Sequence, residues 1–174
     1  DVYGVTNSEG AEASWSSTSV MIAASNGFSG GYAISRHGIG VSVIAGEGAG
    51  MESDYEFSSV VHGGDLDDPA SVGRAAGMRA VKRLNPRKGP TVKVPVVYDP
   101  RVANGMIGHF AGAINGASIA RGTSFLKDAM DTKVFADRVT IIDDPHRLRG
   151  LRSKPFDAEG LAIAGKSQPA RFQL

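Results

Sequence analysis

Val20-Met21-Ile22-Ala23-Ala24-Ser25-Asn26-Gly27-Phe28-Ser29-Gly30-Gly31-Tyr32-Ala33-Ile34 decides the fold. An apolar run meets Ser25-Asn26-Gly27, and a second β-forming run follows. Asn and Gly both tolerate positive φ, so this triplet marks a hairpin, and the flanking runs pair antiparallel. Working outward, the strand before the hairpin covers Ala13 to Ala24, and Val2–Val5 precedes it across the turn-rich cluster Thr6-Asn7-Ser8-Glu9-Gly10. After the hairpin, Arg36-His37-Gly38 reads as another turn, Ile39 to Ala45 as a strand, and Ser53 to Val61 as one more, with Tyr55 and Phe57 alternating. Four or more strands joined by tight turns predict an antiparallel meander.

Beyond Val61 the period changes. Asp67-Asp68-Pro69 opens a helix with an acidic cap and Pro at its first position. Val72, Ala76, Ala80 and Leu84 recur at helical spacing, and Asn85-Pro86 ends the run. Arg87-Lys88-Gly89-Pro90 is a loop, and Val92, Val94 and Val96 alternate as a strand through Tyr98. Asp99-Pro100 repeats the helix opening. The second helix carries Val102, Met106, His109 and Ala113 on one stripe, with Phe110 and Ile114 beside it and Gly105, Gly108, Gly112 and Gly116 along its length. Each such glycine costs a helix about 1 kcal/mol relative to Ala, which suits a helix pressed against another backbone. Arg138 to Ile142 reads as a short strand, and Pro155-Phe156-Asp157-Ala158-Glu159-Gly160 as a tight acidic turn. The expected class is α+β: a strongly curved antiparallel sheet with two main helices, about Asp68–Leu84 and Asp99–Gly116, packed on it. The loop Arg87–Pro90 divides a strand-rich part with the first helix (1–86) from a strand, the glycine-rich helix and C-terminal strands (91–174).

Composition narrows the function. Of 174 residues, 41% are hydrophobic and 21% charged, an ordinary globular mix. A net charge of +1 gives no electrostatic footprint for nucleic acid or a membrane surface. No apolar run approaches the roughly 20 residues of a membrane span. Without cysteine there is neither a disulfide framework nor a thiolate metal site, which fits a cytoplasmic protein. The start at Asp1 without Met, and an end at Leu174 without a terminating element, read as cuts in a longer chain.

An ordered set of segments resembles one family. Asn7-Ser8-Glu9-Gly10, Val97-Tyr98-Asp99-Pro100-Arg101-Val102-Ala103, Ala113-Ile114-Asn115-Gly116, Ile119-Ala120-Arg121-Gly122-Thr123-Ser124-Phe125-Leu126, Ile141-Ile142-Asp143-Asp144-Pro145 and Pro155–Gly160 together resemble the TldD/PmbA family, on its PmbA (TldE) side. The TldD branch is a zinc metallopeptidase with a His-Glu-x-x-x-His motif on this second helix. The resemblance puts His109 at the first His, Phe110 at the Glu and Ile114 at the second His. A metal-activated water needs lone-pair ligands and a carboxylate to move its proton, and a phenyl ring and an alkyl group supply neither. The resemblance thus implies a subunit without catalytic or metal residues. It would pair with a zinc-bearing TldD-like chain in a heterodimeric peptidase for peptide maturation and degradation, with a homodimer as the alternative assembly. His109, Asn115, Arg121 and Ser124 would then line the peptide cleft or touch the partner.

Each of these residues also has a plainer reading. His109 shares the apolar stripe and reads as a buried histidine bonded to backbone. Arg121-Gly122-Thr123-Ser124 reads as a structural loop, or else as a nest for a peptide carboxylate. A stand-alone hydrolase or binding module, around Ser124 or His62, is the rival function, but Ser124 lacks any sequence signature of a general base. His37, His62 and His146 lie apart in expected loops. Asp143-Asp144 and Asp157/Glu159 read as turn formers, not as a carboxylate pair. Arg87, Lys88 and Lys93 form a short basic cluster without interleaved aromatics, so nucleic-acid binding and gyrase modulation find no support in it.

Overall fold

A computed structural model describes residues 1–136 and 138–163, and the backbone of 170–171. The described residues fall into two compact units. One holds Asp1–Lys88 with the segment from Asp144 to Ile163, and the other holds the stretch Gly89–Asp143 with residues 170–171.

Three strands build the first unit: β1 (Val5–Ala23), β2 (Ser29–Ala45) and β3 (Glu52–Val60). They are antiparallel and neighbour one another in chain order, which is the expected meander. The hairpin turns where Ser25-Asn26-Gly27 predicts. Gly27 N–H donates to Ala24 O at 3.0 Å, Ala24 N–H donates to Phe28 O at 2.9 Å, and Gly27 takes φ +90°. This is a type I turn closed by a left-handed glycine, so only Gly27 uses the positive φ. Asn26 contributes through its side chain, accepting from Phe28 N–H at 3.0 Å.

Two expected turns lie inside strands instead. Arg36-His37-Gly38 runs straight through β2, paired with Ser14, Trp15 and Ser16 of β1. The Thr6–Gly10 cluster becomes two irregularities in β1, between Val5 and Asn7 and between Ser8 and Gly10. There Ser8 Oγ accepts from Gly10 N–H at 3.0 Å and Asn7 Oδ1 from Ser8 N–H at 2.8 Å. The turn-forming side chains satisfy the backbone locally, and cross-strand pairing absorbs the extra residues as bulges.

Helix α1 (Pro69–Arg83) follows the sequence reading closely. Asp68 caps it, accepting from Ser71 N–H at 2.9 Å, and Asn85 ends it at φ +58°. Its inward face is small: Val72, Ala76, Gly77 and Ala80 are buried. Ala76 and Ala80 meet Val43 and Ala45 of β2, with Val5, Val41, Val81 and Leu84 around them. Gly46, at φ +79°, lets Leu84 reach the β2–β3 turn, since a Cβ there would lie 2.7 Å from Leu84 Cδ2. Ion pairs edge the contact, Arg79 to Glu56 at 2.9 Å and Arg83 to the buried Asp54 at 3.4 Å. At the hairpin end, Phe156 packs edge-on to Phe28 and Tyr32, at 5.1 and 5.2 Å between ring centroids. Asp157 Oδ1 holds the acidic turn by accepting from Glu159 and Leu161 N–H.

The second unit contains α2 (Pro100–Ala113), α3 (Gly116–Ala120) and the two-residue strands β4 (Ile142–Asp143) and β5 (Ala170–Arg171), which pair antiparallel. Val92 to Tyr98 forms no strand, and Val92, Val94, Val96 and Val97 are exposed. Alternation alone does not make a strand: its N–H and C=O groups need a neighbour, and none pairs there among the described residues. The expected strand Arg138–Ile142 shrinks to β4 for the same reason. No helix among the described residues is long and apolar enough to cross a membrane.

Replacing Ala76 by Leu in the full-length protein should lower its stability by about 1–3 kcal/mol. The urea midpoint should fall with an unchanged m value. An unaltered midpoint would show that the helix–sheet contact has room this packing denies.

Candidate functional site

The Asp99-Pro100 pair sets α2 as predicted. Asp99 Oδ1 accepts from Arg101 N–H at 3.0 Å, and Asp99 O accepts from Val102 and Ala103 N–H. The face that α2 buries keeps only Ala113 of the expected stripe and adds Phe110 from beside it. Phe110 and Ala113 are buried, while Val102, Met106 and Ile107 are exposed. His109 is exposed too, so the expected buried histidine is corrected. Residues 109 and 110 differ by 100° around the helix, and the core of this unit takes Phe110. Its ring stands edge-on to Phe135, 5.1 Å between centroids. Ile114, one turn after Phe110, is half-buried at the C-cap of α2. Nothing described lies within 4 Å of a Cβ built on Gly105, Gly108, Gly112 or Gly116, so the close backbone approach expected there is not made among the described residues.

Helix α3 has no counterpart in the sequence reading. Its signal was Asn115, whose Oδ1 accepts from Ala117 N–H at 3.0 Å and Ser118 N–H at 3.4 Å, the pattern of an N-cap. The next residues close it. Gly122 takes φ +69° and its N–H donates to Ile119 O at 2.9 Å, while Thr123 N–H donates to Ser118 O at 3.1 Å. That is a Schellman ending. The backbone N–H groups that an anion nest would offer are thus spent on α3, which corrects the nest reading, and the Arg121 side chain is exposed.

Ser124 is buried at 7% exposure. Its Oγ donates to Ala113 O at 2.6 Å and accepts from Leu126 N–H at 3.0 Å. The hydroxyl therefore satisfies a carbonyl at the end of α2 and fixes the following turn. A nucleophile needs its hydroxyl hydrogen on a general base, and here that hydrogen lies on a backbone carbonyl. His62 is an exposed turn residue whose Nδ1 accepts from Gly64 N–H at 3.2 Å. His146 Nε2 lies 2.7 Å from Ile163 O, and His37 sits within β2, not in a loop. Among the described residues no group of three or more His, Asp or Glu side chains could hold a metal ion. At the three α2 positions where the resemblance expects zinc-motif residues, one imidazole stands beside a phenyl ring and an alkyl group, and that donor set does not fit zinc.

The similarity of this chain to known proteins follows its two parts. Residues 2–84 match the PmbA/TldA metallopeptidase central domain, and residues 91–167 match the PmbA/TldA metallopeptidase C-terminal domain. The chain belongs to the PmbA/TldD family. Among curated members, Metalloprotease PmbA of Escherichia coli O157:H7 is 39% identical over 157 residues, 90% of this chain and 35% of that protein. The PmbA homolog of Haemophilus influenzae is 42% identical over 137 residues, 79% of this chain and 30% of the homolog. This chain thus spans about a third of the length of these relatives. A crystal structure from Bacteroides thetaiotaomicron VPI-5482, of a candidate modulator of DNA gyrase, superposes with a TM-score of 0.83 at 25% identity, covering 92% of this chain and 36% of that one. One from Thermotoga maritima MSB8 shares the fold at a TM-score of 0.79 and 22% identity, covering 87% and 35%.

Two substitutions separate support from chemistry in this part of the PmbA-like chain. Phe110→Ala should cost about 3–5 kcal/mol, and Ser124→Ala about 1–3 kcal/mol, each read from urea unfolding of the full-length protein. A Ser124→Ala variant of native stability would contradict the hydrogen-bonding role described for its hydroxyl.

Proposed function

We propose that this chain belongs to the PmbA-like (TldE) subunit of a two-chain peptidase, and that this subunit binds no zinc itself. A TldD-like partner would hold the zinc and the water it activates. The present chain would help wall the cleft where peptides are cut during maturation and degradation, in the cytoplasm. His109, Asn115, Arg121 and Ser124 lie in the segment this reading assigns to that wall, His109 and Arg121 through exposed side chains.

One observation carries the reading. Phe110 and Ile114 occupy the positions where the family resemblance expects a proton-moving carboxylate and a second imidazole. Phe110 is committed to Phe135, so its side chain has a structural use that a carboxylate could not serve. The rival, a metal-free hydrolase at Ser124 or His62, has no favouring observation, because both side chains are engaged with backbone groups.

The uncut protein should carry less than stoichiometric zinc after dialysis and cleave an unstructured peptide only when mixed with a TldD-like chain. Chelation should abolish cleavage by the mixture. Zinc bound one-to-one by the lone subunit, together with cleavage, would overturn the proposal; chelator-resistant cleavage by the lone subunit would favour the rival.

A further inference from the structure

In the first unit α1 lies against one face of β2 and β3, and the opposite face is open. On β3, Asp54, Glu56 and Ser58 point to the helix side, while Tyr55 and Phe57 are 51% and 56% exposed on the other. The open face has a glycine floor. Gly40 of β2 pairs with Glu12 of β1 on one side and Phe57 of β3 on the other. A Cβ at residue 40 would lie 3.5 Å from Phe57 Cβ and 4.0 Å from Glu12 Cγ, so these two side chains stand on either side of a position with no side chain. In the next row Ser42 lies opposite Tyr55, and its Oγ donates to Glu9. The rings of Tyr55 and Phe57 stack with centroids 6.3 Å apart and planes 21° apart. The result is a trough of about 480 Å³ with Glu9 and Glu12 on one wall and the rings of Tyr55 and Phe57 on the other.

The carboxylates carry full negative charge and so favour a cation over an anion, and a cation seated on a ring face gains further from the ring's negative quadrupole potential. Among the described residues no Lys or Arg lines the trough. Glu56 borders it but pairs with Arg79. The Glu12 side chain has no hydrogen-bond or ion-pair partner among the described residues. Ten residues line the trough, fewer than the roughly 20–30 per partner of a stable protein–protein interface, so it suits a side chain of a peptide and not a folded partner.

We propose that this trough binds the cationic side chain of a basic peptide, an arginine before a lysine. A planar guanidinium can lie on the Phe57 ring while its N–H fork faces the Glu12 carboxylate across Gly40, a geometry an ammonium cannot match. The site lies in the first unit and stands independently of the zinc-partner reading.

The test uses full-length protein labelled with 4-fluorophenylalanine. The Phe57 signal is assigned by its loss in Phe57→Leu. Titration with Ac-Gly-Gly-Arg-Gly-Gly-NH2 should shift that signal saturably, the glutamine analogue should bind at least about fivefold more weakly, and the lysine analogue should fall between them. Glu12→Gln should weaken the arginine peptide about three- to tenfold at low salt, and the difference should narrow at high salt. These variants change exposed positions, and an unchanged melting temperature will show they are folded. An unmoved Phe57 signal, equal shifts with the glutamine peptide, or an unaffected Glu12→Gln variant would each overturn the proposal.

Discussion

Helix α1 meets its sheet through side chains no larger than an isopropyl group: Ala76 and Ala80 on the helix, Val43 and Ala45 on β2. Ala45, Ala76 and Ala80 have no exposed surface. Small residues on both sides bring the two backbones close, and the close approach fixes what surrounds it. Gly77 is needed because a Cβ there would lie 2.9 Å from Val2 Cγ2. The short distance also lets Arg79 and Arg83 reach across to acidic residues of β3, so that buried Asp54 keeps a charged partner and accepts from Tyr55 N–H at 2.8 Å. A buried carboxylate is tolerated only with such partners. With one face of β2 and β3 fully used in this way, the opposite face is left to carry Tyr55, Phe57 and the glycine floor between them.

The legible parts of this fold were those set by neighbouring residues. Asp68-Pro69 and Asp99-Pro100 place the starts of both long helices to within a residue, because capping is decided by groups two or three residues apart. Gly27 places the hairpin on the same grounds. What could not be read locally was how non-neighbours would use turn-forming residues. Asn7, Ser8 and Gly10 have turn chemistry, and so does Arg36-His37-Gly38, yet long strand pairing keeps all of them in the sheet. Val92 to Tyr98 fails in the other direction: the alternation is there, and among the described residues the pairing neighbour is not.

The site segment shows the same division. Asn115 before Gly116 carried the signature of a cap, and Gly122 that of a helix ending, but a five-residue helix is too short for periodicity to reveal. Ser124 had no local clue to its role, since its acceptor is the carbonyl of Ala113, eleven positions earlier. On α2 the stripe holds at Ala113 but fails at Val102, Met106 and His109, because the placement of Phe135 turns Phe110 to the inside.

That placement bears on the chemistry as well. Phe110 is 5% exposed and held by the edge of another ring. A carboxylate put in its place would lose most of its hydration and face the apolar ring of Phe135, a cost of several kcal/mol without a cation beside it. His109 is exposed, and no described carboxylate or second imidazole joins it in a metal-binding group. The packing that holds α2 and the donor set that would hold a metal therefore make opposite demands on position 110. A carboxylate at position 110 would need a polar or metal-facing environment where this chain has Phe135, so the choice of residue at 110 is tied to the choice at 135.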